Sequence, residues 1–94
     1  MGDLEILQTP LFLKQKKKLK KIQIQDLDKA VKSIRRNPQI GFQKMGDLED
    51  IWVYKFSMAK QQCLLAYQWD EKSRKLLALG VHENFYRDLK RNIK

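Results

Sequence analysis

A single histidine, His82, stands in the C-terminal run HENFYRDLKR, followed closely by Asn84, Phe85, Tyr86 and Arg87. An imidazole exchanges protons near neutral pH, which makes His82 the first candidate for acid or base chemistry. Cutting a phosphodiester without a metal needs three groups. A base removes the 2′-OH proton, a cation stabilises the charged phosphorane, and an acid protonates the leaving 5′-oxygen. His82 fits the proton transfers, and lysine or arginine, here Lys55 and Arg87, fits the cation. Tyr86 completes the candidate catalytic set. Asn84 and the ring of Phe85 suit the holding of RNA, since aromatic rings stack on splayed bases.

Other chemistries find little support. One histidine and one cysteine cannot make a structural zinc site, and the chain has no HExxH run. The four glycines are scattered, with no Walker loop and no GxGxxG, so no metal or cofactor is expected. A nucleophilic Cys63–His82 pair is disfavoured because Cys63 lies in an apolar, core-like stretch. The carboxylates Asp47, Glu49 and Asp50 read as solvated turn residues.

Charge adds a partner class. The net charge is +9, and it is uneven: from Pro10 to Arg36 there are ten Lys or Arg against two acids, a local +8. Such a field attracts nucleic acid or an acidic protein, and binding of RNA through it should weaken steeply with salt. Lys17, Lys18 and Lys21 are its central candidates. No leader or membrane span is expected, which makes a cytoplasmic protein the default.

These residues must be positioned by a small set of elements, since 94 residues suffice for one domain, 1–94. Leu4 to Gln8 reads as a first strand or extended arm. Thr9 caps a helix with Pro10 at its first position, expected to run to about Lys21 and to bury Leu11, Phe12, Leu19 and Ile22. Leu27, Ala30, Val31 and Ile34 follow the spacing of a second amphipathic helix, with Asp26 and Asp28 in its first turn and Asn37-Pro38 at its end. Three strands follow, over Ile51–Met58, Gln62–Trp69 and Leu76–Val81, joined by turn-length connections into an antiparallel meander. A short helix over Glu83–Ile93 closes the chain. Alternation places Trp52, Tyr54, Phe56 and Met58 on the helix-packed face, with Leu65, Tyr67 and Trp69. Lys55 then lies on the opposite, open face, beside Leu64, Ala66 and Gln68.

Two basic helices, a three-stranded meander and the closing GVHENFYRDLKR together resemble the RelE/ParE superfamily of toxins from type II toxin–antitoxin systems. The likeness runs from TPLFLKQKKKLKK through KMGDLEDIWVYKF and LLAYQW to Gly80-Val81-His82-Glu83-Asn84-Phe85, which is similar to the GxHxxF pattern of the YafQ-like and HigB-like branches. It implies an α+β fold, two N-terminal helices on a small twisted antiparallel sheet with a short C-terminal helix. It implies a growth-inhibiting toxin that cleaves mRNA in the ribosomal A site without a metal. An antitoxin, binding through an acidic or amphipathic segment, would silence it. The histidine matching His82 serves there as acid or base, and Lys55 matches a basic strand residue. At Leu64 the chain departs from the pattern, because RelE-like enzymes carry a phosphate-binding arginine there. Arg87, Lys44 or Lys60 would have to replace it. Since ParE-like members keep the fold and act on DNA gyrase, gyrase inhibition is the alternative, and an inactive relative or a plain basic binding module is a third.

Overall fold

The computed structural model describes residues 4–44, 50–81 and 85. In chain order the elements are β1 (Glu5–Gln8), α1 (Pro10–Lys17), α2 (Lys21–Arg36), β2 (Phe42–Gln43), β3 (Trp52–Met58), β4 (Gln61–Trp69) and β5 (Ser73–Gly80). The fold is α+β, with α1 and α2 in the N-terminal half. The expected C-terminal helix lies, apart from Phe85, outside the described residues.

Thr9 opens α1 as its position suggests. Its hydroxyl accepts from the Phe12 N–H at 3.1 Å and donates to the Leu77 carbonyl at 2.7 Å, so one side chain caps the helix and ties it to β5. The helix is shorter than expected. The N–H groups of Lys18 and Leu19 reach back three residues to the Gln15 and Lys16 carbonyls, at 3.2 and 3.0 Å, and this tightened turn ends it. A new helix starts at Lys21, where the Lys20 N–H donates to Gln23 Oε1 at 2.8 Å. Ile22, expected in the core, therefore falls in the first turn of α2 and is 61% exposed. Asp26 and Asp28 likewise lie a turn or more inside α2 rather than at its start. Asp26 works at long range instead, accepting from the Ala59 N–H at 2.8 Å across the β3–β4 turn.

The sheet has five strands in the order β1-β5-β4-β3-β2. Strands β3, β4 and β5 form the expected antiparallel meander. The sheet is mixed, however, because β1 pairs parallel with β5, Glu5 opposite Ser73 and Gln8 opposite Leu76. The two-residue strand β2 adds the other edge, with Phe42 opposite Val53. Ala59 and Lys60, at φ 50° and 69°, turn β3 into β4 with the paired positive φ values that a tight two-residue hairpin favours.

Side chains divide by face. Toward the helices lie Phe12, Leu27, Ile34, Met58, Cys63, Leu65, Tyr67, Leu76 and Leu79, all buried. On the other face a second cluster contains Val53, Leu64, Ala66, Leu77, Ala78 and Phe85. A register shift between Ala66 and Tyr67 in the β4–β5 ladder explains why the neighbours Leu77 and Ala78 belong to the same cluster.

The end of α2 is anchored from the sheet. Arg74 is 7% exposed and donates to the carbonyls of Ile34 and Arg35, both at 3.3 Å, and to those of Asp70 and Ser73 at 2.6 and 3.0 Å. A cation on the last carbonyls of a helix also complements its dipole. Beside it, the buried Tyr67 hydroxyl donates to the Pro38 carbonyl at 2.6 Å and accepts from the Gly41 N–H at 3.1 Å. Gly41 is needed there: a Cβ would lie 2.6 Å from the Val53 carbonyl oxygen and 2.8 Å from that hydroxyl.

Candidate nucleic-acid interface

The face of the sheet away from the helices carries the cation expected of it. Cross-strand partners in a ladder share a face, so Phe42 lies on the same side as Val53. Period two then adds Lys44 and Lys55 to that side. Their ammonium groups converge on the Phe42 ring, Lys44 Nζ at 5.7 Å and Lys55 Nζ at 5.6 Å from its centroid. Lys55 is exposed and Phe42 is 40% exposed. The sequence reading missed Phe42, because a two-residue strand has no periodicity to reveal it.

Pairing also puts Lys55 into a row. Lys55 is opposite Leu64, and Leu64 is opposite Gly80 at the end of β5. Leu64 is 1% exposed and belongs to the apolar cluster, so the position where related enzymes are expected to carry an arginine serves packing here. Ala66 is buried in the same cluster, which makes this part of the face closed rather than concave and open.

Phe85 is the residue that closes it. Expected as an RNA-holding ring, it is only 4% exposed and packs in the cluster, close over Gly80. A Cβ on Gly80 would meet the Phe85 ring at 3.1 Å, so the glycine is what admits the ring. Burial removes Phe85 from base stacking in this arrangement. His82, Asn84, Tyr86 and Arg87 lie outside the described residues.

The remaining candidates are distributed elsewhere. Lys60 is exposed in the β3–β4 turn. Lys17, Lys18 and Lys21 are exposed where α1 meets α2, on the helix layer that covers the other side of the sheet from Lys55. Beside them a groove of about 650 Å³ is lined by Pro10, Leu13, Lys14, Lys16, Lys17 and Ile24. The described residues thus carry two basic regions, one on the helices and one at the β2–β3 edge. Cys63 is 1% exposed and burial pushes its thiol up, which disfavours the thiolate that nucleophilic chemistry needs. No helix among the described residues is long and apolar enough to cross a membrane.

Three comparisons bear on this arrangement. Residues 6–90 match the family model of the ParE-like toxin of type II bacterial toxin–antitoxin systems. Among solved structures, a mutant of the E. coli toxin RelE in the free state superposes with a TM-score of 0.72 at 22% identity, covering 100% of both chains. A chain of the intact E. coli RelBE toxin–antitoxin complex gives 0.67 at 23% identity, covering 85% of this chain and 98% of that one. At such identities the likeness to the solved structures is one of fold. No curated protein matches the chain.

Proposed function

We propose, for a chain that belongs to the family of ParE-like toxins of type II bacterial toxin–antitoxin systems, that it arrests growth by cutting messenger RNA on the translating ribosome. The observation that carries this reading is the cationic, aromatic β2–β3 edge, where two ammonium groups and an exposed ring share the face opposite the α1–α2 core. A single-stranded substrate asks for phosphate contacts and a stacking surface side by side, and this edge supplies both. The RelE-like fold adds support.

In the reaction the 2′-oxygen attacks phosphorus as the bond to the 5′-oxygen breaks, leaving a cyclic phosphate and a 5′-hydroxyl. His82 is the proton-transfer group, Lys55 the cation for the phosphorane, and Tyr86 and Arg87 assist at the same centre. Asn84, Lys44 and Lys60 hold the strand. Lys17, Lys18 and Lys21 on the helices bind ribosomal RNA or the acidic segment of an antitoxin. That the related RelE fold occurs in a complex with its antitoxin supports a silencing partner for this chain as well. The protein works in the cytoplasm, without a metal or cofactor.

His82→Ala and Lys55→Gln test the assignment. Each is expected to lower cleavage by about 10²- to 10⁴-fold, read by mapping transcript ends after induction. Both should relieve growth arrest while leaving the melting temperature near that of the parent. A His82→Ala protein that still arrests growth and still cuts transcripts removes His82 from the site.

A second reading, inhibition of DNA gyrase through surface contacts, draws on the buried Leu64 in place of a phosphate-binding arginine. Purified protein in a supercoiling assay separates the two. An RNA cutter leaves gyrase working, and a gyrase poison leaves transcripts whole.

A further inference from the structure

Eight aromatic residues fall among the described positions, and Phe42 alone of them is freely exposed. The others are fully or partly buried. Trp52, Tyr54, Phe56 and Trp69 pack against the helix-side core, and Phe85 is sunk in the opposite cluster. A singly exposed apolar side chain is ordinary on a protein surface. Two ammonium groups brought within 6 Å of its ring, one from its own strand and one from the neighbouring strand, are a more specific arrangement.

The backbone holds this group in place. Phe42 pairs with Val53, which is 0% exposed, and the Lys44 N–H donates to the Ile51 carbonyl at 2.8 Å, continuing the β2–β3 ladder past the ring. The Cα positions of Phe42 and of the two lysines are thus set by the sheet. An ammonium over an aromatic face in water is weakly held. A phosphate can draw it away and leave the ring to a base.

We propose that Phe42 is a base-stacking platform for the RNA substrate, with Lys44 and Lys55 taking the phosphates beside the stacked nucleotide. The proposal rests on the RNA-cleaving reading above and adds to it a residue that selects unpaired RNA. A base inside a duplex has no free face to offer this ring, so the site takes a splayed or single-stranded nucleotide. Stacking of this kind tolerates any base, so the edge contributes affinity and strandedness, not sequence choice.

Binding of the full chain to a fluorescein-labelled, 2′-O-methylated single-stranded RNA, which cannot be cut, tests the proposal by anisotropy over a salt series. Phe42→Ala and Phe42→Leu are both expected to weaken binding by about tenfold or more, and Phe42→Trp to match or exceed the parent. The leucine variant keeps apolar bulk and removes only the π-face. The salt slope of log Kd should stay constant across the Phe42 variants, and fall by about 0.7 in Lys44→Gln and in Lys55→Gln. Parent-like affinity in Phe42→Leu, at an unchanged melting temperature, overturns stacking and leaves the RNA reading standing. Failure of the parent itself to bind this RNA, or a flat salt response, overturns both together.

Discussion

On the helix side of the sheet Tyr67 and Arg74 tie buried polar groups into hydrogen bonds, whereas the opposite side is an apolar cluster of Ile51, Val53, Leu64, Ala66, Leu77 and Ala78 closed by the ring of Phe85. Tyr67 on the first side has both a donor and an acceptor bond, and Arg74 reaches four carbonyls. On the second side Lys44 and Lys55 lie at the margin, around an exposed ring. Buried hydrogen bonds fix a shape, and the exposed Lys55 beside a closed apolar floor places charge where a ligand can reach it. The contrast assigns stability to one face and binding to the margin of the other.

The largest effect expected from breaking this contrast is that of Phe85→Ala. Removing a buried phenyl ring should cost about 3 kcal/mol, measured by urea denaturation. A loss under about 1 kcal/mol would mean that the ring does not close the face. Next comes Tyr67→Phe, which strands the Pro38 carbonyl and the Gly41 N–H in a buried site. About 1–3 kcal/mol of stability should disappear. RNA affinity should be unchanged, and a parallel fall in affinity would show that the two faces are not independent.

The smallest effect concerns the β4–β5 turn. The Lys72 N–H, and then the Ser73 hydroxyl, hold the Asp70 carboxyl below the usual carboxylate range. A value depressed in the folded chain stabilises the fold above the ordinary carboxylate range, and that contribution disappears as pH falls through the depressed value. Asp70→Asn should therefore melt below the parent at neutral pH, with the gap narrowing as the solution is acidified through the depressed value. A gap that stays constant would exclude the carboxylate charge as its cause.

Much of this architecture is legible in the residues themselves. Thr9-Pro10 marks the start of α1, the spacing of Leu27, Ala30, Val31 and Ile34 marks the buried side of α2, and alternation sorts β3 and β4 onto their correct faces. Each of those signals is local. The break between the helices is not signalled, because KKLKK contains neither glycine nor proline and is made by two three-residue hydrogen bonds. The start of β5 was hidden by Arg74, whose charge reads as a turn residue until its carbonyl partners on α2 are known. For the site, alternation located Lys55 on the face opposite the α1–α2 core. Phe42 and the burial of Phe85 depend on which strand lies beside which, and no short window of residues contains that information.

The parallel pairing of β1 with β5 carries a consequence for how the molecule comes into being. Glu5 meets Ser73, so the earliest strand finds its neighbour only after some seventy further residues have been made. A nascent chain that stops before β5 has no ladder for its first strand and no Leu77 carbonyl for the Thr9 hydroxyl. Closing so long a loop is slow relative to local helix formation. Assembly of the sheet is thereby deferred until β5 has been made, and a fragment released before it cannot complete the fold.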